Sequence, residues 1–238
     1  MNKTTHNLMI EMLTRVAVAL GEDLRQQFAF VGGCTTALLL TDDTSQEDVR
    51  HTDDVDLVVS LSSATEWYGL AERLRTHGFQ QSPNNDDNVV CRFRLGELQV
   101  DFMPDSPEIL GFTNIWYKEA LEHTTKLSLS DGLTIRLLTA PYFLATKFEA
   151  FKGRGNDDLL ASRDIEDICI LLDGRSEVVE EIYLGNQSLK DYLSFSCRCL
   201  KNNQDYEYMI QGNLNDRQRQ QRVKRVVNAI IEQWPVFQ

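Results

Sequence analysis

The stretch FAFVGGCTTALLL (28–40) decides the fold, together with HTDDVDLVVSL (51–61) after it. FAFV (28–31) reads as a short apolar strand stopped by Gly32-Gly33, and TTALLL (35–40) restarts the chain as a buried helix. A glycine pair lets the backbone approach a ligand closely. The free N–H groups at a helix start attract phosphate, and Thr35 could add a hydroxyl. Taken alone, such a pair is more often a tight turn. VDLVVSL (55–61) reads as a buried strand with Asp54 and Asp56 at its mouth. Strand alternation points both carboxylates to one face and Asp53 away from it. Two carboxylates on one face repel unless a cation or a proton joins them. Hard oxygen ligands suit Mg²⁺, which usually takes one or two protein carboxylates plus substrate phosphates. An acidic loop ahead of a strand is the plain alternative, but acids usually shun strand interiors.

Working outward, VVCRFRL (89–95) and LQVDFM (98–103) flank Gly96-Glu97 and predict an antiparallel hairpin. Asp101 lies inside its second strand, between Val100 and Phe102. A carboxylate there needs a partner. Arg92 or Arg94 on the facing strand could be that partner; the other reading is a third metal ligand. Three carboxylates from two neighbouring strands could hold two metals about 3.5–4 Å apart. Residues 8–27 carry apolar positions at helical spacing, and Ser63 with Glu66 forms a capping box for the next helix. LTIRLL (133–138) is a further strand, while 41–54 and SPNNDDN (82–88) read as loops.

Beyond Pro141 the strand signals stop, and 141–152, 162–173, 176–183, 188–200 and 217–234 read as helices. The chain is therefore α+β, with an N-terminal domain over 1–139 and a helical domain over 140–238. Leu144, Phe148 and Phe151 form the buried stripe of the first C-terminal helix, and Lys147 lies off it, where it could reach a phosphate. Asp164 and Asp167, three apart, share a face of the next helix. Arg154 and Arg163 are their candidate partners, and an exposed acidic face is the plain reading. NDRQRQQRVKR (215–225) is basic, and Val223, Val226, Val227, Ile230, Ile231 and Trp234 give its helix an apolar face. That basic strip is either a solvated face or a track for nucleic-acid phosphates.

Composition bounds the rest. The 238 residues are 42% hydrophobic and 25% charged, ordinary for a soluble globular protein. No apolar run is long enough to cross a membrane, and the N-terminus lacks the apolar core of an export signal. Five scattered cysteines, with no histidine beside them, build neither a zinc site nor a disulfide framework, so a reduced, cytoplasmic setting is expected. The net charge of −12 excludes a general nucleic-acid coat protein. Residues 1–110 hold 8 Lys/Arg against 18 Asp/Glu, so the acidic surplus sits where the candidate metal ligands are. A bound divalent cation would offset part of it.

The order of these pieces is more specific than any one of them. Gly32-Gly33-Cys34-Thr35, then Asp54-Val55-Asp56, then Asp101 resembles the DNA polymerase β-type nucleotidyltransferase superfamily. Here Cys34-Thr35 stands in place of a Gly-Ser doublet. Lys147 followed by Asp164 and Asp167 is similar to the AbiEii/AbiGii-type branch, bacterial nucleotidyltransferase toxins of toxin–antitoxin and phage-defence systems. The resemblance covers roughly residues 28–173. It implies a mixed sheet flanked by helices, followed by a helical region that completes the active site. It also implies a Mg²⁺-dependent enzyme, with Mn²⁺ as the alternative ion. Such an enzyme moves a nucleotide from a nucleoside triphosphate to an acceptor hydroxyl and releases pyrophosphate. The implied roles are metal ligands for Asp54, Asp56 and Asp101 and a phosphate cradle for Gly32, Gly33 and Thr35. Lys147 and Asp167 would bind nucleotide, and Asp164 would position Lys147 or accept the acceptor's proton. The implied acceptor is tRNA or another nucleic acid, and the implied partner an antitoxin or inhibitor protein. A small-molecule acceptor, as in antibiotic-modifying nucleotidyltransferases, is the enzyme alternative. A module that binds nucleotide or a partner without turnover is the non-enzyme one.

Overall fold

The computed structural model describes residues 5–46, 48–81, 90–129, 132–154 and 157–233. The predicted loop 82–88 and Trp234 lie outside the described residues. In chain order the elements begin with α1 (Thr5–Arg25), β1 (Phe28–Val31), a 3₁₀ turn (Gly33–Thr35), α2 (Thr36–Leu39), α3 (Asp43–Gln46), β2 (Asp54–Val59) and α4 (Ala64–Thr76). Next come β3 (Gln80–Gln81), β4 (Arg92–Leu95), β5 (Leu98–Pro104), α5 (Pro107–Leu110), α6 (Tyr117–Glu122), β6 (Thr124–Ser128) and β7 (Thr134–Leu138). The remainder is helical: α7 (Ala140–Arg154), α8 (Arg163–Gly174), α9 (Val178–Leu184), α10 (Gln187–Asn202), α11 (Tyr206–Asn213) and α12 (Arg217–Gln233). The chain divides into two compact units, one of residues 1–35 and 50–139, the other of 36–49 and 140–238.

The first unit is built on a seven-stranded mixed sheet of order β3-β4-β5-β2-β1-β7-β6. β2 pairs antiparallel with β1 and parallel with β5. Strand alternation separates the two faces of this central trio. Val55, Leu57, Val100 and Phe102 fall on one face and are fully buried. Phe102 anchors an aromatic cluster there, its ring 5.2 Å from Phe28, 5.2 Å from Phe79 and 5.4 Å from Phe93. Asp54, Asp56 and Asp101 fall on the other face. α1 buries Met9, Leu13, Val16, Ala17, Leu20 and Leu24 at the spacing the sequence predicts. The capping box of α4 forms as well: Glu66 N–H donates to Ser63 Oγ at 3.3 Å, and Ser62 N–H donates back to Glu66 at 2.6 Å.

Strand β6 carries no sequence signal. TTKLS has one apolar residue and is largely exposed, and only its ladder to β7 makes it a strand. α11 and the short α3, α5 and α6 are likewise too brief to show a helical period.

In the second unit α8 is the central helix, buried from Asp164 to Gly174 except at Glu166. Residues 36–49 pack on it. Thr41 and Asp42 N–H donate to Gly174 O at 2.9 and 3.0 Å. A Cβ at Gly174 would fall 2.7 Å from Ser45 Cβ, so the approach needs glycine.

Burial brings carboxylates with it, and each finds cations. Asp173, 1% exposed, accepts from Ser45 Oγ at 2.9 Å and from Arg219 Nε at 2.7 Å. Arg222 Nε lies 3.1 Å from its other oxygen, an ion contact without hydrogen-bond geometry. Arg219 also binds Asp48, Arg222 donates to Asp42 at 2.9 Å, and Lys224 pairs with Glu207. The basic strip read from 215–225 is therefore mostly internal: of its cations only Arg217 and Arg225 stand in the exposed class. Helical period explains the difference, since Arg219 and Arg222 share the face of Val223, which is buried with Val227 and Ile230. Removing one partner of such a buried pair typically costs roughly 3–5 kcal/mol. Arg219→Gln should lose about that much in urea unfolding, whereas Arg217→Gln should change stability by no more than about 0.5 kcal/mol.

Candidate active site

The glycine turn and the acidic strand meet at one point. Val31 pairs with Asp56 across β1 and β2, so Gly32 leaves the sheet beside that carboxylate. Gly32 has φ +76°, a left-handed conformation glycine adopts without strain. A Cβ there would fall 2.8 Å from Asp56 Cγ and closer still to Oδ2. The turn is closed from inside. Cys34 Sγ contacts Val31 O at 3.3 Å, and Thr35 Oγ1 donates to Gly32 O at 2.9 Å. Thr35 is 1% exposed, so its hydroxyl serves the turn itself. Gly33 opens the 3₁₀ turn that runs into α2.

The parallel register of β2 on β5 sets Asp56 directly beside Asp101 and Asp54 beside Gln99. Asp54 is oriented by Thr52, whose hydroxyl donates to it. Sequence reading missed Thr52; the available signal was a hydroxyl residue two places before Asp54, just ahead of the strand. Asp101 is held by Arg92, whose Nε and Nη2 each donate to one carboxylate oxygen at 3.0 Å. Of the two partners the hairpin offers, Arg92 is the one that binds, because it is directly opposed to Asp101 across β4 and β5, whereas Arg94 faces Gln99. Cys91 lies close by, its thiol pushed up to about 11, first by burial and then by the Asp101 charge.

The donor set suits a hard cation. Among the described residues no three carboxylate, imidazole or thiol groups close into a ready-made cage. Asp54 and Asp56 provide two oxygen donors on one strand face. That matches an ion completing its shell with substrate phosphates rather than one held by protein alone. The glycine at position 32 leaves the space beside Asp56 clear of side chain.

Lys147, Asp164 and Asp167 come together in the helical unit. Lys147 Nζ donates to Asp164 Oδ1 at 3.2 Å and to Asp167 Oδ2 at 2.5 Å. Arg154 grips the same Asp164 through Nε and Nη2, both at 2.9 Å. α7 is buried from Ala140 through Phe148, so Lys147 is itself buried rather than facing outward from an apolar stripe. Asp164 and Asp167 are buried too, which replaces the exposed acidic face as their plain reading. Ser162 caps α8, and the helix dipole favours Asp164 in the first turn. Burial alone would raise the Asp164 carboxyl, but the hydrogen bonds and charges of Arg154 and Lys147 outweigh it and hold it below the usual range.

From residue 18 to residue 235 the sequence matches the family model of the nucleotidyl transferase AbiEii toxin, type IV toxin–antitoxin system. The chain belongs to this family. No curated protein matches it. The match covers both the sheet unit and the helices, so the nucleotidyltransferase fold and the C-terminal helical region are parts of one AbiEii-type chain. No helix among the described residues is long and apolar enough to cross a membrane.

Two tests follow from this geometry. A depressed carboxyl stabilises the fold above its unfolded pKa, and that stability is lost as pH falls through the folded pKa. Arg154→Gln removes the main force lowering Asp164, so acid unfolding should move to higher pH than in wild type; circular dichroism against pH reads the shift. Gly32→Ala should lower the melting temperature, because a Cβ at φ +76° is strained and would fall on the Asp56 carboxylate; calorimetry reads the loss.

Proposed function

We propose that this AbiEii-family chain is a Mg²⁺-dependent nucleotidyltransferase whose acceptor is tRNA or another nucleic acid. In the reaction an acceptor hydroxyl oxygen attacks the α-phosphorus of a nucleoside triphosphate and releases its proton to solvent water. The bond to the bridging oxygen breaks, and pyrophosphate leaves. The observation that carries the reading is the register aligning Asp56 with both Val31-Gly32 and Asp101. It gathers a phosphate-compatible turn and the Asp54, Asp56 and Asp101 carboxylates on one face. Asp54 and Asp56 would hold Mg²⁺, with Asp101 beside them. When bound, the ion supplies charge neutralisation on the phosphates and Lewis-acid polarisation. The chain's part is positioning. Thr52 orients Asp54, Arg92 fixes Asp101, and Gly32 and Gly33 keep the turn free of side chains where the phosphates would lie. Catalysis by positioning and electrostatics suits phosphoryl chemistry, in which the protein has little covalent work to do.

For Lys147, Asp164 and Asp167 the assignment rests on family resemblance. Asp164 and Asp167 hold the Lys147 ammonium between them. Asp164 is engaged by both Lys147 and Arg154, which favours a positioning role over proton acceptance. Within a toxin–antitoxin system, an antitoxin would restrain the activity.

The test is transfer itself. Protein incubated with each α-labelled nucleoside triphosphate, Mg²⁺ and total RNA should label RNA with one nucleotide in preference to the others. Asp54→Asn and Asp56→Asn should each abolish labelling while the melting temperature survives. Near-wild-type turnover in either variant at saturating Mg²⁺ would overturn the metal assignment. Lys147→Met should weaken triphosphate binding far more than Lys152→Met.

A further inference from the structure

A cavity of about 370 Å³ lies on the far side of the sheet unit from Gly32, lined by Glu22, Arg25, Gln26, Lys126, Thr134 and Arg136. Among the described residues three cations share it with one carboxylate, in a chain whose net charge is −12. Both arginines are oriented by neutral acceptors. Arg25 donates to Thr134 O at 3.0 Å and to Ala17 O at 3.1 Å. Arg136 donates to Thr124 Oγ1 at 3.2 Å, Gln26 O at 3.0 Å and Leu121 O at 2.8 Å. Backbone carbonyls orient a guanidinium without cancelling its charge. Glu22 contacts Gln26 at 3.4 Å, and among the described residues it makes no ion pair. Lys126 is exposed and makes no hydrogen bond or ion pair among the described residues. It stands directly opposite Arg136 in the β6–β7 ladder. Like charges directly opposed across strands destabilise a sheet unless something neutralises them.

We propose that this cavity binds the phosphodiester backbone of the RNA acceptor, as a subsite separate from the reaction centre. Guanidinium groups with fixed orientation suit phosphate, which they can bind through two parallel hydrogen bonds. Position argues for a polymer. Arg25 precedes β1 and Thr134 opens the parallel β7, so the cavity lies at the starting end of these strands. Gly32 follows the finishing end of β1, roughly 13 Å further on for a four-residue strand. An acceptor that engages both places must carry charge over at least that span. A nucleic-acid strand does, and a small-molecule acceptor offers no such row of phosphates. The inference rests on the nucleic-acid acceptor of the proposed function.

The experiment uses the Asp54→Asn protein, in which chemistry is silenced, and a fluorescein-labelled RNA oligonucleotide followed by anisotropy over a salt series. Lys126→Gln is the primary variant, because Lys126 holds no structural contact. It should weaken RNA binding several-fold and make the slope of log K against log salt shallower by about 0.7–0.9, one phosphate contact. Arg136→Lys, checked by its melting temperature, should weaken binding through lost bidentate contact. Arg73→Gln on the exposed face of α4 should leave the slope unchanged. An unchanged slope for Lys126→Gln would overturn the subsite. Displacement of RNA by equimolar inorganic phosphate, dependent on Lys126, would also overturn it and reassign the cavity to free phosphate. Pyrophosphate release by wild-type protein is measured separately. If no triphosphate yields it, the transferase reading fails whatever the anisotropy shows; if it is released and the slope is unmoved, only the subsite fails.

Discussion

Strand β2 can sit in only one register, and the acidic site depends on it. Its apolar residues Val55 and Leu57 belong to the layer built around Phe102, where both are fully buried. A slip of one residue would turn Asp54 and Asp56 into that layer and Val55 and Leu57 out of it. Burying two unpartnered carboxylates and exposing two aliphatic side chains costs several kcal/mol by any reckoning. The aromatic core on the opposite face therefore holds the carboxylates in place. With β2 held, pairing to β1 brings Gly32 against Asp56, and pairing to β5 brings Asp101 alongside. The hairpin partner Arg92 then limits how far Asp101 can turn.

The helical unit meets a different constraint. α8 is buried along most of its length yet carries Asp164, Asp167 and Asp173 inward. Each draws cations from elsewhere in the unit: Lys147 and Arg154 from α7, Arg219 and Arg222 from α12. Relative to apolar packing these pairs contribute little net stability, but any arrangement that leaves one carboxylate unpaired is heavily penalised. The same network binds residues 36–49 through Ser45, Asp42 and Asp48, so the segment that follows the glycine turn in sequence is tied to α8 and α12.

Much of this was legible in the sequence, and the parts that were not have physical reasons. FAFV, VDLVV and the RFRL–LQVDFM hairpin are apolar runs or alternations with turn residues between them, and they become β1, β2, β4 and β5. β6 has no such pattern because an edge strand needs only one hydrogen-bonded neighbour and little burial. Asp101 shows the limit of pattern reading. Both of its predicted environments, beside Asp56 and paired with Arg92, come from its position between β2 and β4. Alternation alone cannot choose between them, because both neighbours lie on the same face. The Lys147 cluster was legible as residue types at helical spacing but not as a buried ion network, since burial of α7 all round its first turns is set by packing rather than by its own period.

Charge clustered in sequence is not the same as charge available to a ligand. The densest cation run, 215–225, lies on a helix whose inward face must also neutralise Asp173, so Arg219 and Arg222 are consumed by the fold. Arg25, Lys126 and Arg136 are scattered over more than a hundred positions and make no sequence motif. Yet β-pairing and the approach of α1 to the start of β7 bring them to one cavity, with Glu22 the one carboxylate beside them among the described residues. An overall acidic protein that handles a polyanion needs such a place more than a basic one does. Its general field repels the ligand, and attraction must come from charges close enough to act within a Debye length, about 8 Å at physiological salt. Arg25 and Arg136, oriented by neutral acceptors that leave their charge uncancelled, meet that condition together with Lys126.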